Sequence, residues 1–139
     1  MEMIITAITG SYLAIMAVID RRRKEIPVLP GVLCLILLVL AQFVNCKSWL
    51  SWLPGMLIGL FLYIVSKISD GAIGEGDALV YFLTGVALGF FRNLELLICS
   101  LFLSSLVSGF LLVFRRVGKK DRIPFVPFTA LAYGVVMVF

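Results

Sequence analysis

The sequence predicts an all-α, polytopic membrane protein with about six transmembrane helices in a single membrane-embedded domain, residues 1–139. Hydrophobic residues make up 62% of the 139 residues and charged residues only 14%, whereas a typical soluble domain carries about 25% charged residues. The mean hydropathy is +1.13. The apolar residues also fall into long runs that short polar or charged segments separate. A surface this apolar suits contact with lipid, and the length suits one domain.

Six apolar runs provide the predicted helices, at residues 3–19, 32–44, 49–66, 78–91, 96–114 and 123–139. The second and fourth are shorter than the roughly 20 residues that an unaided span needs. We still expect six helices, because residues 27–31 can extend the second run and the glycine-rich segment 67–77 can dip toward the fourth. The first run resembles a signal peptide in length. Its basic cluster follows it instead of preceding it, so we interpret it as a retained span.

Prolines and polar residues predict the helix boundaries. Pro27 should restart a helix after the first basic cluster, and Pro54 should kink the third helix or mark a late start. The segment 67–77, with Asp70 among its residues, is expected to be the most loop-like part of the chain. The turn between the fourth and fifth helices is predicted at Arg92, Asn93 and Glu95.

Small residues at a spacing of four predict close helix packing. Gly55 and Gly59 lie one turn apart in the third run, and Gly85 and Gly89 lie one turn apart in the fourth. Glycines on one helix face let two backbones approach each other in lipid. The alternative is that these glycines are simply tolerated by the lipid.

The basic residues predict the orientation of the helices. All but two of the twelve Lys and Arg residues fall in the first, third and fifth loops, and the exceptions are Lys47 and Arg92. Cytoplasmic loops carry an excess of Lys and Arg. Loops one, three and five are therefore expected in the cytoplasm and both termini outside it, in the plasma (inner) membrane.

The composition also excludes several kinds of chemistry. The chain has no histidine, and its three cysteines show no short C-x-x-C spacing, so we expect no catalytic histidine, no metal site and no cofactor. The net charge of +4 suits membrane topology and anionic lipid, so no nucleic-acid partner is expected. Nothing in the sequence indicates an oligomeric state.

Two aspartates are the candidate catalytic residues. Asp20 ends the first apolar run, and Asp77 ends the tetrapeptide Gly74-Glu75-Gly76-Asp77, so both should lie at the cytoplasmic ends of their helices. Acidic groups at membrane depth are unfavourable and usually functional. Two carboxyls held close together share a proton, and such a pair can hydrolyse a peptide bond. Singly, Asp20 could instead balance the neighbouring arginines, and Asp77 could cap a helix.

The motif residues resemble one family. They are Asp20 with Ile26 and Pro27 after it, Gly74 and Gly76 before Asp77, Gly85, and the segment Pro124-Phe125-Val126-Pro127. Together they resemble the type IV prepilin peptidases, which are Gly-x-Gly-Asp aspartyl proteases of the membrane. The resemblance implies that Asp20 and Asp77 are catalytic and that the substrate is a type IV prepilin or pseudopilin. It also implies cleavage on the cytoplasmic side, between a short polar leader and a hydrophobic helix, in type IV pilus or secretion systems.

The sequence departs from the family pattern at three positions and leaves two alternatives open. Val28, Leu79 and Val126 stand where Asn, Lys and Gly are usual, which affects substrate positioning more than hydrolysis. We expect a minimal peptidase without the cysteine-containing domain that accompanies N-methylation in bifunctional members. The alternatives are a non-catalytic small polytopic membrane protein, such as an assembly or transport subunit, and a presenilin-like protease. The Ile26-Pro27 pair favours the prepilin type over the latter.

Overall fold

Helices account for nearly all of the described structure. The computed structural model describes residues 2–23, 27–45, 48–69, 74–114 and 124–138, and within these ranges it contains no strand. The helices are α1 (Glu2–Arg23), α2 (Val28–Val44), α3 (Trp49–Trp52), a 3₁₀ turn (Leu53–Gly55), α4 (Met56–Ile68), α5 (Glu75–Leu88), α6 (Phe90–Val113) and α7 (Val126–Val138). The predicted all-α fold is confirmed.

Three stretches of helix are long and apolar enough to cross a membrane, judged over the described residues. They are Glu2–Arg22, Trp49–Ile68 and Phe90–Val113, and the helices Val28–Val44 and Val126–Val138 are apolar but shorter. The longest, α6, leaves large apolar side chains such as Phe102 and Phe110 each 62% exposed, as a lipid-facing helix should. The polytopic membrane fold is confirmed, while spanning by the shorter helices stays a prediction.

The boundary between the fourth and fifth predicted helices is wrong in the sequence-based prediction. The structure turns at Gly89, whose φ of +77° lies in a region that only glycine adopts readily. Helix α6 then begins at Phe90, so Arg92, Asn93 and Glu95 lie within its first two turns. The polar side chain of Asn93 is fully buried. Asn93, which the sequence analysis interpreted as a turn residue, instead forms hydrogen bonds that join helices.

Helix α5 lies at the centre of the fold, and glycines bring its backbone against neighbouring segments. A Cβ placed on Gly55 would lie 2.8 Å from the carbonyl carbon of Gly85, and one on Gly59 would lie 2.6 Å from the amide nitrogen of Phe82. Atoms of real side chains almost never approach so closely. The predicted close packing at these glycines is confirmed.

A buried polar network ties α5 to α6 and to the 3₁₀ turn. The Asn93 Nδ2 group donates to the backbone carbonyls of Gly55 and Tyr81, both at 3.0 Å. Its Oδ1 accepts from the Thr84 hydroxyl at 2.7 Å. The Tyr81 hydroxyl is hydrogen-bonded to that of Ser100 on α6. Because these side chains satisfy one another away from water, the network can specify how the three segments pack.

Candidate active site

Asp20 lies three residues before the end of α1 and points into the protein. It is 6% exposed, whereas the side chains of Arg21 and Arg22 are exposed. Its Oδ2 accepts the backbone N–H of Val126 at 3.2 Å, at the first residue of α7. The first amides of a helix have no partner within the helix. The described hydrogen bond of Asp20 is therefore with the start of the last helix.

Asp77 lies in the first turn of α5. The sequence placed Glu75 and Gly76 in a loop, but the helix begins at Glu75 and Gly74 is its N-cap residue, with φ −66° and ψ 136°. Acidic residues at this end of a helix are favoured by the helix dipole, which explains why the helix starts so early. Asp77 is thus the third helical residue and not the N-cap. Asp70, predicted in the same loop, lies outside the described residues.

Asp20 lies at the C-terminal end of α1 and Asp77 at the N-terminal end of α5. The two helices contact each other, although 57 positions separate the two residues in sequence. Asp77 is half-buried and Asp20 is buried, so protein surrounds both more than water does. Two carboxyls held close together in such surroundings can share a proton. This is the property that acid–base catalysis by two aspartates requires.

The other predicted site residues are Gly74, Gly76, Ile26 and Pro27, and the structure describes all of them except Ile26. Gly74 leaves room for the Asp77 carboxyl, because a Cβ on Gly74 would lie 3.1 Å from its Oδ2. Gly76 is half-buried within the first turn of α5. Pro27 is the exposed N-cap residue of α2. Ile26 lies outside the described residues, so its predicted supporting role stays a prediction.

An ion pair that the sequence analysis missed joins α4 to α5 beside the Gly-x-Gly-Asp segment. The Lys67 Nζ lies 2.6 Å from Glu75 Oε1 and 5.6 Å from the centre of the Tyr63 ring. Both charged side chains are more than half exposed, and exposed pairs contribute at most about 1 kcal/mol. Its effect is therefore to orient the start of α5 more than to stabilise the fold.

The sequence analysis also did not predict the contacts made at the start of α7, by Phe125 and Val126. Besides the bond from Val126 to Asp20, the Phe125 ring packs on Tyr81 with 6.3 Å between ring centroids. Tyr81 is four residues after Asp77, which is about one helical turn. The only signal in the sequence was the pair of prolines that flank this segment.

Comparison with known proteins identifies the family. The sequence model of the type IV leader peptidase family matches residues 7–113, which is more than half of the chain and includes both aspartates. The chain belongs to the type IV leader peptidase family. It is 28% identical, over 131 residues, to the prepilin leader peptidase/N-methyltransferase of Bacillus subtilis (strain 168). The alignment covers 93% of this chain and 52% of that relative, so the chain spans about half the relative's length. No solved structure matches the chain.

Proposed function

We propose that this member of the type IV leader peptidase family is an aspartyl endopeptidase that removes the leader from type IV prepilins or pseudopilins. The single observation that supports this best is the position of Asp20 and Asp77. They lie on different helices, Asp20 in the last turn of α1 and Asp77 in the first turn of α5, and these two helices contact each other. The matched family and the named relative supply the substrate class.

In the proposed reaction the two aspartates divide the proton transfers between them. The ionised carboxyl takes a proton from a water molecule as the water oxygen attacks the carbonyl carbon of the scissile peptide bond. The protonated carboxyl donates to the carbonyl oxygen, which carries the developing charge. When the tetrahedral intermediate collapses, the carbon–nitrogen bond breaks and the leaving nitrogen takes the proton that the first carboxyl received from water. One hydroxyl of the intermediate returns its proton to the second carboxyl as the new carboxylic acid forms. The aspartates return to their starting protonation states, and no metal or cofactor is required.

The location of the pair suits a substrate that is part polar and part apolar. Asp20 is close to the C-terminus of α1 and Asp77 to the N-terminus of α5, so water can reach both from a membrane surface. The apolar helix of a prepilin can remain in lipid beside the exposed apolar faces of the bundle. The polar leader then lies on the cytoplasmic side of the membrane.

The direct test is cleavage of a prepilin by the purified protein in lipid vesicles. We expect one new N-terminus, located by mass spectrometry at the junction of the polar leader and the apolar helix. A matched substrate whose leader has been removed should give no product. If the intact prepilin is not cut while the protein is folded, the non-catalytic membrane subunit becomes the better interpretation.

The side of cleavage can be tested through topology. In a cysteine-free background, we expect a cysteine at Ser48, which is exposed in the structure, to react with an impermeant reagent from outside the cell. A cysteine at Lys119 should react only after the membrane is opened, because the basic loop that contains it is predicted to be cytoplasmic. Labelling of position 119 in intact cells would reverse the orientation and place cleavage on the outer face.

A further inference from the structure

The first turn of α7 contacts both helices that carry the aspartates. Its Val126 amide donates to Asp20 of α1, and its Phe125 ring packs on Tyr81 of α5, one turn beyond Asp77. Val126 itself is fully buried. This segment lies outside residues 7–113, the range that the family model matches, so the comparison assigns it no role.

We propose that the start of α7 positions the catalytic pair, and that the backbone N–H of Val126 is the main group that fixes the Asp20 carboxyl, beside a smaller contribution from the Phe125 N–H. This inference rests on the proposed function only for its catalytic consequence, since the hydrogen bond is a property of the fold. Val126 is a positioning residue, because it acts on substrate only through Asp20.

The physical basis is that a backbone amide constrains a carboxyl more than a side chain would. The Val126 N–H is one of the first amides of α7, so the helix offers it no carbonyl, and a buried unpaired N–H is unfavourable. Asp20 satisfies it, and the helix dipole at this end favours negative charge. The position of α7 therefore determines how the Asp20 carboxyl is oriented.

The rest of α7 holds this turn in place. The Tyr133 hydroxyl donates to the Thr6 carbonyl of α1 at 3.1 Å, about two turns further along α7. Phe125 caps the helix, because its carbonyl accepts from the amides of Phe128 at 3.0 Å and Thr129 at 3.2 Å. The first turn of α7 is thereby held by its own hydrogen bonds and by the contact of Tyr133 with α1.

Hydrogen exchange tests the bond itself, without any need for activity. The Val126 amide, measured by NMR in lipid nanodiscs, should exchange slowly in the wild-type protein. We expect exchange to be at least about tenfold faster in Asp20→Ala, because the amide loses its acceptor. Asp77→Ala is the matched control and should leave it unchanged. Equal rates in the wild-type protein and Asp20→Ala, with the Leu83 amide equally protected in both, would overturn the inference.

Two variants at position 126 test the catalytic consequence. Val126→Pro removes the N–H donor and also changes the buried side chain, and proline is tolerated in the first turn of a helix. We expect it to lower kcat by about 10²-fold while KM is unchanged, because misplacement of a catalytic group slows chemistry by about this factor. Val126→Ala keeps the N–H and should retain most of the kcat while lowering Tm, since it only removes buried methyl groups.

The outcomes separate this inference from the proposed function. If Val126→Pro is folded and as fast as the wild type while Asp20→Asn is inactive, the positioning role is wrong and the peptidase stands. If Val126→Ala loses as much kcat as Val126→Pro, packing is responsible and the amide is not. If the wild-type protein cleaves no prepilin, the function fails, and the hydrogen-exchange result still decides whether α7 holds Asp20.

Discussion

Asp20→Asn and Asp77→Asn are each expected to lower prepilin cleavage by about 10²- to 10⁴-fold or more, with the protein still inserted and folded. An amide has nearly the same size as a carboxyl but cannot take a proton from water or donate one to the carbonyl oxygen, and acid–base catalysis typically contributes this factor. The measurement is single-turnover cleavage of a prepilin in lipid vesicles, with substrate binding measured separately.

Structure explains why these variants should fold. An asparagine at position 20 still presents a side-chain oxygen that can accept the Val126 N–H, so the contact between α1 and α7 need not break. At the start of α5 the Asp77 carboxyl accepts a backbone hydrogen bond from the N-cap residue Gly74, and the side-chain oxygen of an asparagine at position 77 can accept the same bond. A loss of cleavage at unchanged Tm would therefore be a loss of chemistry.

The double variant and a control sharpen the test. Asp20→Asn with Asp77→Asn should be no slower than either single variant, because residues that act as one catalytic unit are not additive. Asp70→Asn makes the same chemical change outside both motifs and should cleave at the wild-type rate. Wild-type cleavage by either single variant would refute the aspartyl mechanism, and the membrane subunit without catalytic activity would become the leading interpretation.

The sequence predicted the fold well because a segment that crosses lipid must be apolar and must satisfy its backbone hydrogen bonds internally, as a helix does. Most of each predicted apolar run is helical where the structure describes it, although the fourth run breaks at Gly89. The kink or late start expected at Pro54 became a 3₁₀ turn. The error at Arg92–Glu95 has a physical cause. A buried amide such as Asn93 and an exposed turn residue look alike in sequence, and only tertiary contacts with Gly55 and Tyr81 distinguish them. The positive φ of Gly89 decided where the turn lies.

The candidate site was only partly accessible from sequence. Asp20 and Asp77 stood out because acidic groups are rare near apolar runs, and in the structure they lie in the last turn of α1 and the first turn of α5, two helices in contact. The role of Val126 could not be found in this way. Its contribution is a backbone N–H, which every residue except proline possesses, so no residue type marks it. The ion pair of Lys67 and Glu75 was missed because it depends on where α4 ends and α5 begins.

The second large effect is expected at the contact between Gly55 and Gly85, in the centre of the fold. A Cβ on Gly85 would lie 2.5 Å from the Gly55 carbonyl carbon and 3.0 Å from the Asn93 Nδ2. Both neighbours are held in place, one as backbone and the other by two hydrogen bonds. Gly85→Ala must therefore push α5 away from the 3₁₀ turn and disturb the Asn93 network.

Gly85→Ala is expected to destabilise the protein strongly, by about 1–3 kcal/mol for overpacking and about 1–3 kcal/mol more if the Asn93 amide loses a buried partner. The higher helix propensity of alanine, about 1 kcal/mol, offsets only part of this. Unfolding in mild detergent measures the effect as a lower Tm.

The matched controls are Gly109→Ala in α6 and Gly134→Ala in α7, where an added Cβ meets no atom within 4 Å. These should be neutral or slightly stabilising. If all three variants unfold alike, close backbone contact at Gly85 is not what holds α5 at the centre of the bundle, and the position of Asp77 must depend on other contacts.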